Sequence, residues 1–156
     1  MSGAGESEAA ERVRELLERV LDATDTDADI AISEDEDEIA ARLEGEDLGL
    51  LIGRHGQTID AIQHLAYRIA SAGEGPRKRV TVDAAGYRAR RAALLQQDAD
   101  EAVEEVLATG EPVALDAMNA VERRVVHEYL RDREGIETFS EGAEPDRHLV
   151  IAPASD

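Results

Sequence analysis

The stretch that most constrains this chain is an apolar run at residues 48–52, followed by the turn Gly53-Arg54-His55-Gly56 and then an amphipathic helix pattern. Glycine adopts backbone conformations that other residues avoid, and it lets neighbouring atoms approach closely. The first amides of the following helix have no partner inside that helix, so they point outward beside Arg54. Outward amides next to a cation suit a phosphate. The stretch therefore predicts either a phosphate clamp or an ordinary turn between two helices.

Composition limits the kind of protein that can carry this turn. Hydrophobic residues make up 42% of the chain, but its aromatic residues are few (Tyr67, Tyr87, Tyr129 and Phe139), which favours two modest aliphatic cores. The absence of cysteine excludes disulfides and thiolate metal sites and fits a reducing compartment. The first thirty residues lack a signal-peptide pattern, and no apolar run approaches the roughly 20 residues that span a bilayer. We therefore expect a soluble, cytoplasmic protein.

The net charge of −19 argues at first against a nucleic-acid partner, because phosphate binding depends on basic groups. The charge is unevenly distributed, however. Residues 1–47 carry a net −13 and residues 98–156 a net −11, whereas residues 48–97 carry a net +5. A clustered basic segment matters more for the choice of partner than the total charge does. The positive block begins with the glycine turn.

The first half of the chain predicts an α+β fold. A helix begins at Glu8, with two short strands at residues 30–32 and 39–44 around an acidic turn at 34–38. A short helix, the glycine turn, a second long helix and a third strand at residues 77–83 complete the order. The first helix is expected to face the core through Val13, Leu16, Leu17, Val20 and Leu21, and the second through Ile59, Ile62, Leu65, Ala66 and Ile69. This order predicts a three-stranded sheet with helices on one face.

The second half predicts a small α/β domain behind a long helix. That helix, from Tyr87 to about residue 108, has an apolar stripe of Leu95, Ala99, Ala102, Val103 and Val106. A short strand at 113–115, a capping box from Asn119 to Glu122, a helix at 121–131 and strands at 136–140 and 148–151 follow. The 121–131 helix is expected to turn Val121, Val125, Val126 and either Tyr129 or Leu130 inward. The predicted boundaries are a disordered tail at 1–7, a first domain at 8–85, a connecting helix at 86–110 and a second domain at 111–153.

In this frame the glycine turn resembles the G-x-x-G loop of the KH domain, in the topology with the extra helix and strand on the N-terminal side. The resemblance implies that the loop clamps the backbone of about four nucleotides. Gly53 and Gly56 would shape the loop, and Arg54 and His55 would face the phosphates. Ile52 would line the floor of the groove beneath the bases, with Gln57 beside it. Supporting basic residues are expected at Arg77, Lys78, Arg79, Arg88, Arg90 and Arg91.

A second candidate site lies on the helix at 121–131. Arg123 and His127 are four residues apart and therefore share a helix face. With residues 138–142 and 147–151, this helix resembles the small domain named for its Arg-x-x-x-His signature, which implies binding of single-stranded nucleic acid. Arg147, on a neighbouring strand, is expected to complete a cationic cluster of three residues.

A KH domain followed directly by an Arg-x-x-x-His domain resembles the bacterial Jag/KhpB family over residues 8–153. The match is to a short form without the additional N-terminal domain of longer members. The resemblance implies single-stranded RNA binding, RNA-chaperone activity and post-transcriptional regulation linked to cell elongation and cell-wall homeostasis. It also implies a small single-KH partner protein of the KhpA type.

Two alternatives remain open at this point: an adaptor that docks a partner protein of the cell-elongation machinery, and a binder of single-stranded DNA. Catalysis is not expected, because no Gly-Lys-Ser/Thr follows the glycine turn and no serine lies in a nucleophile elbow. The four histidines lack the spacing of a zinc site. The sequence therefore predicts a binding protein with neither a cofactor nor a metal.

Overall fold

The computed structural model describes residues 5–156 of the chain, which form two compact units divided between Arg88 and Ala89. The first unit contains α1 (Glu8–Ala23), β1 (Asp29–Glu34), β2 (Glu38–Glu44), α2 (Gly49–Ile52), a 3₁₀ turn (Arg54–Gly56), α3 (Gln57–Ala70) and β3 (Arg79–Ala84). The second contains most of α4 (Tyr87–Thr109), then β4 (Val113–Ala114), α5 (Ala120–Leu130), β5 (Ile136–Glu141) and β6 (His148–Pro153). The predicted order of helices and strands is confirmed.

The first unit has a three-stranded sheet in the order β1-β2-β3. β1 and β2 are antiparallel, with Asp29 opposite Glu44, and β2 and β3 are parallel, with Glu38 opposite Arg79. Alternate residues of the central strand, such as Ile39 and Leu43, are fully buried. This period-2 burial leaves one face of the sheet for the core and the other for polar side chains.

Helices α1 and α3 cover the apolar face of that sheet. The stripe predicted on α1 lies in or against the core, as do Ile59, Ile62 and Ala66 of α3. Leu65 was predicted to join them, and that prediction is wrong, since it is 51% exposed. Successive helical residues point about 100° apart, so Leu65 points well away from the direction of Ala66 and lies on the solvent side of the stripe.

The N-terminal tail predicted at residues 1–7 lies partly outside the described residues, which begin at position 5. Two of its members make contacts. Ser7 is the N-cap of α1, where its hydroxyl accepts a hydrogen bond from the Ala10 amide at 3.2 Å. Glu6 forms an ion pair with Arg14, and the hydrogen bond from Arg14 lowers the pKa of Glu6 below its ordinary value.

The second unit forms its core around α4, whose predicted stripe of Leu95, Ala99, Ala102, Val103 and Val106 is buried throughout. Two of the five are alanines, which let the helix pack closely against its neighbours. The connecting helix predicted at residues 86–110 is thus a structural part of the second core over most of its length.

The second sheet has the order β4-β6-β5, with both pairs antiparallel and β6 in the centre. The predicted capping box is present at the start of α5, with Asn119 and Glu122 each accepting the other's backbone N–H. The inward positions predicted for α5 are partly wrong, because Val121 is 72% exposed and Val125 is 45% exposed. The buried stripe is instead Arg123, Val126 and Leu130, whose spacing of three and four residues defines one helix face.

No helix within residues 5–156 is both long and apolar enough to cross a membrane.

Candidate nucleic-acid interface

The two glycines of the turn have backbone angles that favour glycine. Gly53 and Gly56 have φ angles of 72° and 76°. A Cβ atom on Gly53 would lie 2.2 Å from the Thr58 hydroxyl oxygen, and one on Gly56 would lie 2.6 Å from the Tyr87 ring. Each glycine is therefore required both by its backbone angle and by a neighbouring side chain that fills the space.

The two residues between the glycines differ in setting. Arg54 is exposed and forms no ion pair with any described residue. His55 is half-buried and has a φ of 54°, a left-handed conformation uncommon for a residue other than glycine. Strained backbone of this kind occurs frequently at binding sites. The turn therefore presents one arginine without an ion pair among residues 5–156 and one half-buried histidine.

Helix α3 starts at this turn without a side-chain cap. Its N-cap is Gly56, which has no side chain to accept from the first amides, and Gln57 at the first helical position is exposed. The positive end of the helix dipole and the N–H groups of this first turn are consequently available to an anion. Ile52, at the end of α2, is half-buried against the first core, so it anchors the turn from the other side.

A groove runs between α3 and β3, an edge strand of the first sheet. It has a volume of about 620 Å³. Its lining combines the polar face of α3 with the start of β3: Asp60, Gln63, His64, Tyr67, Arg77, Lys78, Arg79 and Val80. The groove thus places hydrogen-bonding groups and one aromatic ring beside three basic residues.

The three basic residues at the start of β3 are not equally free. Arg77 is exposed and forms no ion pair within the described part of the chain. Arg79 is largely exposed and reaches Glu38 at 3.4 Å. Lys78 is committed, because its ammonium donates to the Glu34 carboxylate at 2.9 Å and to the Asp35 carbonyl.

The carboxylates around Lys78 have altered proton affinities. Burial raises the pKa of Glu34, but hydrogen bonds from Lys78 and Ser7 outweigh it and bring that pKa below its ordinary value. The amides of Asp37 and Glu38 lower the pKa of Asp35. Both acids therefore stay ionised near Lys78, and its charge is largely neutralised by the protein itself.

Arg88 serves mainly to hold the groove together. Its guanidinium donates to the Val82 carbonyl at 3.0 Å, to Asp60 at 2.8 Å and to Gln63 at 2.9 Å. Gln63 in turn accepts the Val82 amide at 3.0 Å. These bonds tie α3 to the edge strand, so Arg88 fixes the width of the groove.

The other two basic residues predicted near the start of α4 belong to the second unit. Arg90 is exposed. Arg91 forms an ion pair with Glu122 at 3.0 Å, in which both side chains are at least 85% buried. Because Glu122 also belongs to the capping box, Arg91 braces the start of α5.

On α5, Arg123 and His127 lie in different environments although they are one turn apart. The Arg123 side chain is only 10% exposed; its guanidinium donates to the Met118 carbonyl at 2.6 Å and pairs with Glu144 at 2.9 Å. His127 is exposed, and its Nδ1 shares a hydrogen bond with the Thr138 hydroxyl. Arg147 donates to the Gly142 carbonyl at 2.6 Å. Arg123 and Arg147 therefore both hold the 142–147 loop.

Several residues around these sites were not identified from the sequence. Gln63, His64 and Tyr67 share a face of α3 with Asp60, so helical periodicity alone could have indicated them. Thr138 and Glu144 had no such signal, because each meets its partner from a position more than ten residues away.

Two stretches of the chain match known domain families. Residues 10–83 match the KH domain of KhpA/KhpB, and residues 93–153 match the domain named for its Arg-x-x-x-His signature. The second match includes most of α4, in agreement with the burial of that helix in the second core.

Curated relatives match over both stretches. The chain is 37% identical to the RNA-binding protein KhpB of Clostridium symbiosum over 140 residues, which cover 88% of this chain and 63% of that protein. It is 33% identical to RNA-binding protein KhpB of Bacillus subtilis over 138 residues, 87% of this chain and 66% of that protein. With the protein of the same name from Lactiplantibacillus plantarum, identity is 43% over 104 residues, 67% of this chain and 32% of that protein. The chain thus spans two thirds or less of the length of each of these relatives.

Proposed function

The chain belongs to the KhpB/Jag family, and we propose on this basis that it binds single-stranded RNA through the glycine turn and the groove between α3 and β3. Relatives at 27–43% identity are named as RNA-binding proteins, and both matched domains fit that role. A binding role without catalysis is enough to explain the exposed Arg54, the uncapped start of α3 and the polar groove beside it.

One observation carries the proposal: an exposed arginine without an ion-pair partner among the described residues, at the start of a helix that lacks a side-chain cap. Arg54 and the first amides of α3 can then neutralise a phosphate together. Gly53 and Gly56 give the turn the backbone shape that presents Arg54, with Thr58 and Tyr87 packed beside them. This arrangement supports phosphate binding in a chain whose net charge is −19, because the local charge differs from the total.

The groove supplies the remaining contacts. Arg77 precedes β3 and Arg79 begins it, and His64 and the side-chain N–H groups of Gln63 can bond base edges. Stacking on an aromatic ring contributes about 1–3 kcal/mol per base, and Tyr67 is the aromatic residue in the lining. Recognition therefore depends mainly on phosphate contacts and base-edge hydrogen bonds. We expect weak to moderate affinity, broad sequence tolerance and a steep dependence on salt.

The second unit contributes a smaller site formed by His127, Arg147 and the ion-paired Arg123. The more specific functions that the family resemblance implies are also part of the proposal. They are RNA-chaperone activity, post-transcriptional control linked to cell elongation and cell-wall homeostasis, a single-KH partner of the KhpA type and a cytoplasmic location. They rest on the resemblance alone.

The test replaces both residues between the glycines. Arg54→Asp with His55→Asp puts two carboxylates where the phosphate is proposed to bind, so affinity for a single-stranded RNA should fall at least about tenfold. Fluorescence anisotropy of a labelled oligonucleotide measures the affinity, and amide NMR spectra verify that the first unit stays folded.

Arg19→Asp is the matched control, because Arg19 is also an exposed arginine of the first unit but lies on α1. It should change affinity less than about twofold, since it reverses a charge on the same unit without placing a carboxylate between the two glycines. Equal affinity of the double variant and the unmodified chain would refute the phosphate clamp. Competition between RNA and DNA of the same sequence decides the nucleic acid, because only RNA offers the 2′-hydroxyl.

A further inference from the structure

The guanidinium of Arg123 is already occupied in this structure. One terminal nitrogen donates to the Met118 carbonyl at 2.6 Å, and the other lies 2.9 Å from a carboxylate oxygen of Glu144. No other acidic side chain among residues 5–156 forms an ion pair with it. A guanidinium binds carboxylates and phosphates with the same fork of N–H groups, so either anion fits the place that Glu144 holds.

Glu144 is the exposed member of this pair. Its side chain is 60% accessible, whereas that of Arg123 is 10% accessible. It lies on the loop between β5 and β6, where the Asp146 amide donates to the Ala143 carbonyl and Arg147 donates to the Gly142 carbonyl. An anion from solvent therefore reaches the charged end of Arg123 most directly by taking the place of the Glu144 carboxylate.

We propose that Glu144 competes with phosphate for Arg123 and thereby limits the affinity of the second unit for its nucleic acid. The inference rests on the proposed function where the phosphate belongs to RNA. The competition itself concerns any phosphate-bearing ligand that reaches Arg123. In the unbound protein Glu144 neutralises the buried cation, and on binding the carboxylate swings into solvent, where it is already largely hydrated.

The exposure of Glu144 makes this exchange feasible. The Glu144 side chain is 60% accessible, so its carboxylate regains water when it leaves, and Arg123 is not left unpaired because the incoming anion takes that place. A phosphodiester replaces the lost charge interaction with one of the same kind. Glu144 thus lowers affinity without preventing binding.

The same hairpin offers a matched control. Glu141 is 64% exposed and belongs to β5, but its carboxylate faces His148 at 3.9 Å. Replacement of either glutamate by glutamine removes one negative charge from the same part of the molecule. Only Glu144→Gln removes the anion from Arg123.

The experiment measures two affinities in the full chain for the unmodified protein, Glu144→Gln and Glu141→Gln. The first is for a labelled single-stranded RNA by fluorescence anisotropy, and the second is for inorganic phosphate by the shift of the Arg123 Nε–H NMR signal. We expect Glu144→Gln to bind both ligands about three- to tenfold more tightly. Glu141→Gln should change either affinity less than about twofold.

Equal gains for the two variants would overturn the proposal, because they would show a general charge effect. Unchanged or weaker phosphate binding by both Glu144→Gln and Glu144→Ala would also overturn it, because Glu144 would then only position Arg123. The alanine variant excludes a residual hydrogen bond from the glutamine amide. If the chain binds no RNA, the proposed function fails, and the phosphate titration still decides the competition at Arg123.

Discussion

The two arginines at the centre of the candidate sites differ in how the fold uses them. Arg54 projects from a glycine turn, is exposed and has no ion-pair partner in the part of the chain that the structure describes. Arg123 projects from a helix into the second unit, is buried and contacts both Met118 and Glu144. The comparison shows that the fold leaves one motif arginine without an ion pair among the described residues and gives the other arginine partners within the protein.

The two sites also differ in what gives them their shape. The glycine turn is determined by the backbone, with Thr58 and Tyr87 filling the space beside the glycines. The α5 site is determined by side chains, since Arg91, Glu122 and Asn119 brace the start of the helix. Substitutions should therefore affect the two sites in different ways, and three comparisons test this.

The largest effect is expected from removing the buried cation. Arg123→Met should lower the free energy of unfolding of the second unit by about 2 kcal/mol, because the Met118 carbonyl loses its donor and Glu144 its partner. Arg54→Met should change the stability of the first unit by less than about 0.5 kcal/mol while weakening RNA binding. Denaturant titrations followed by amide NMR signals of each unit measure both values. Equal losses of stability for the two variants would abolish the distinction drawn between these arginines.

A smaller effect is expected within the glycine turn. Gly53→Ala should destabilise the first unit by about 1–2 kcal/mol, because the φ of 72° is unfavourable for alanine and its Cβ would collide with Thr58. Gly49→Ala is the control four residues earlier, where a Cβ meets nothing within 4 Å. It should be neutral to within about 0.5 kcal/mol. A neutral Gly53→Ala would mean that backbone geometry does not determine this site.

The smallest effect concerns acid stability. A hydrogen bond from Arg133 at 2.6 Å, opposed by burial and helped by Tyr129, lowers the pKa of Asp100 below its ordinary value. The resulting stabilisation is complete above the ordinary carboxylate pKa of about 4 and is lost as the pH falls through the lower folded value. Asp100→Asn should therefore reduce the stability of the second unit slightly at pH 7, and the difference should vanish in strong acid.

The first unit provides the control for this pH effect. Glu34, in that unit, also has a lowered pKa. Because Asp100→Asn leaves Glu34 unchanged, the acid response of the first unit should stay the same. Unfolding curves of each unit between pH 2 and pH 7 measure the two responses. A difference for Asp100→Asn that persists in strong acid would show that its cause is packing rather than ionisation.

Much of the fold could be predicted from the sequence, because it depends on local periodicity. The stripe of α4 and the capping box at Asn119 are read from residues within a few turns of each other. The wrong predictions, for Leu65, Val121 and Val125, fall where a helix has more apolar residues than its buried face can hold. On α5 the sequence offers Val121, Val125 and Val126, and only packing against the second sheet decides that Val126 and Leu130 face the core.

The sequence by itself determined the positions of the glycine turn, the Arg-x-x-x-His spacing and the basic segment around residues 48–97. Only the tertiary structure decided which of those cations are available: Arg54 and Arg77 are free of ion pairs among the described residues, whereas Lys78, Arg88, Arg91 and Arg123 are held by partners elsewhere in the chain. The physical reason is the distance along the chain over which each feature is decided. Backbone angles and helix faces depend on neighbours in sequence, but the partner of a charge is whichever opposite charge the fold brings within about 4 Å.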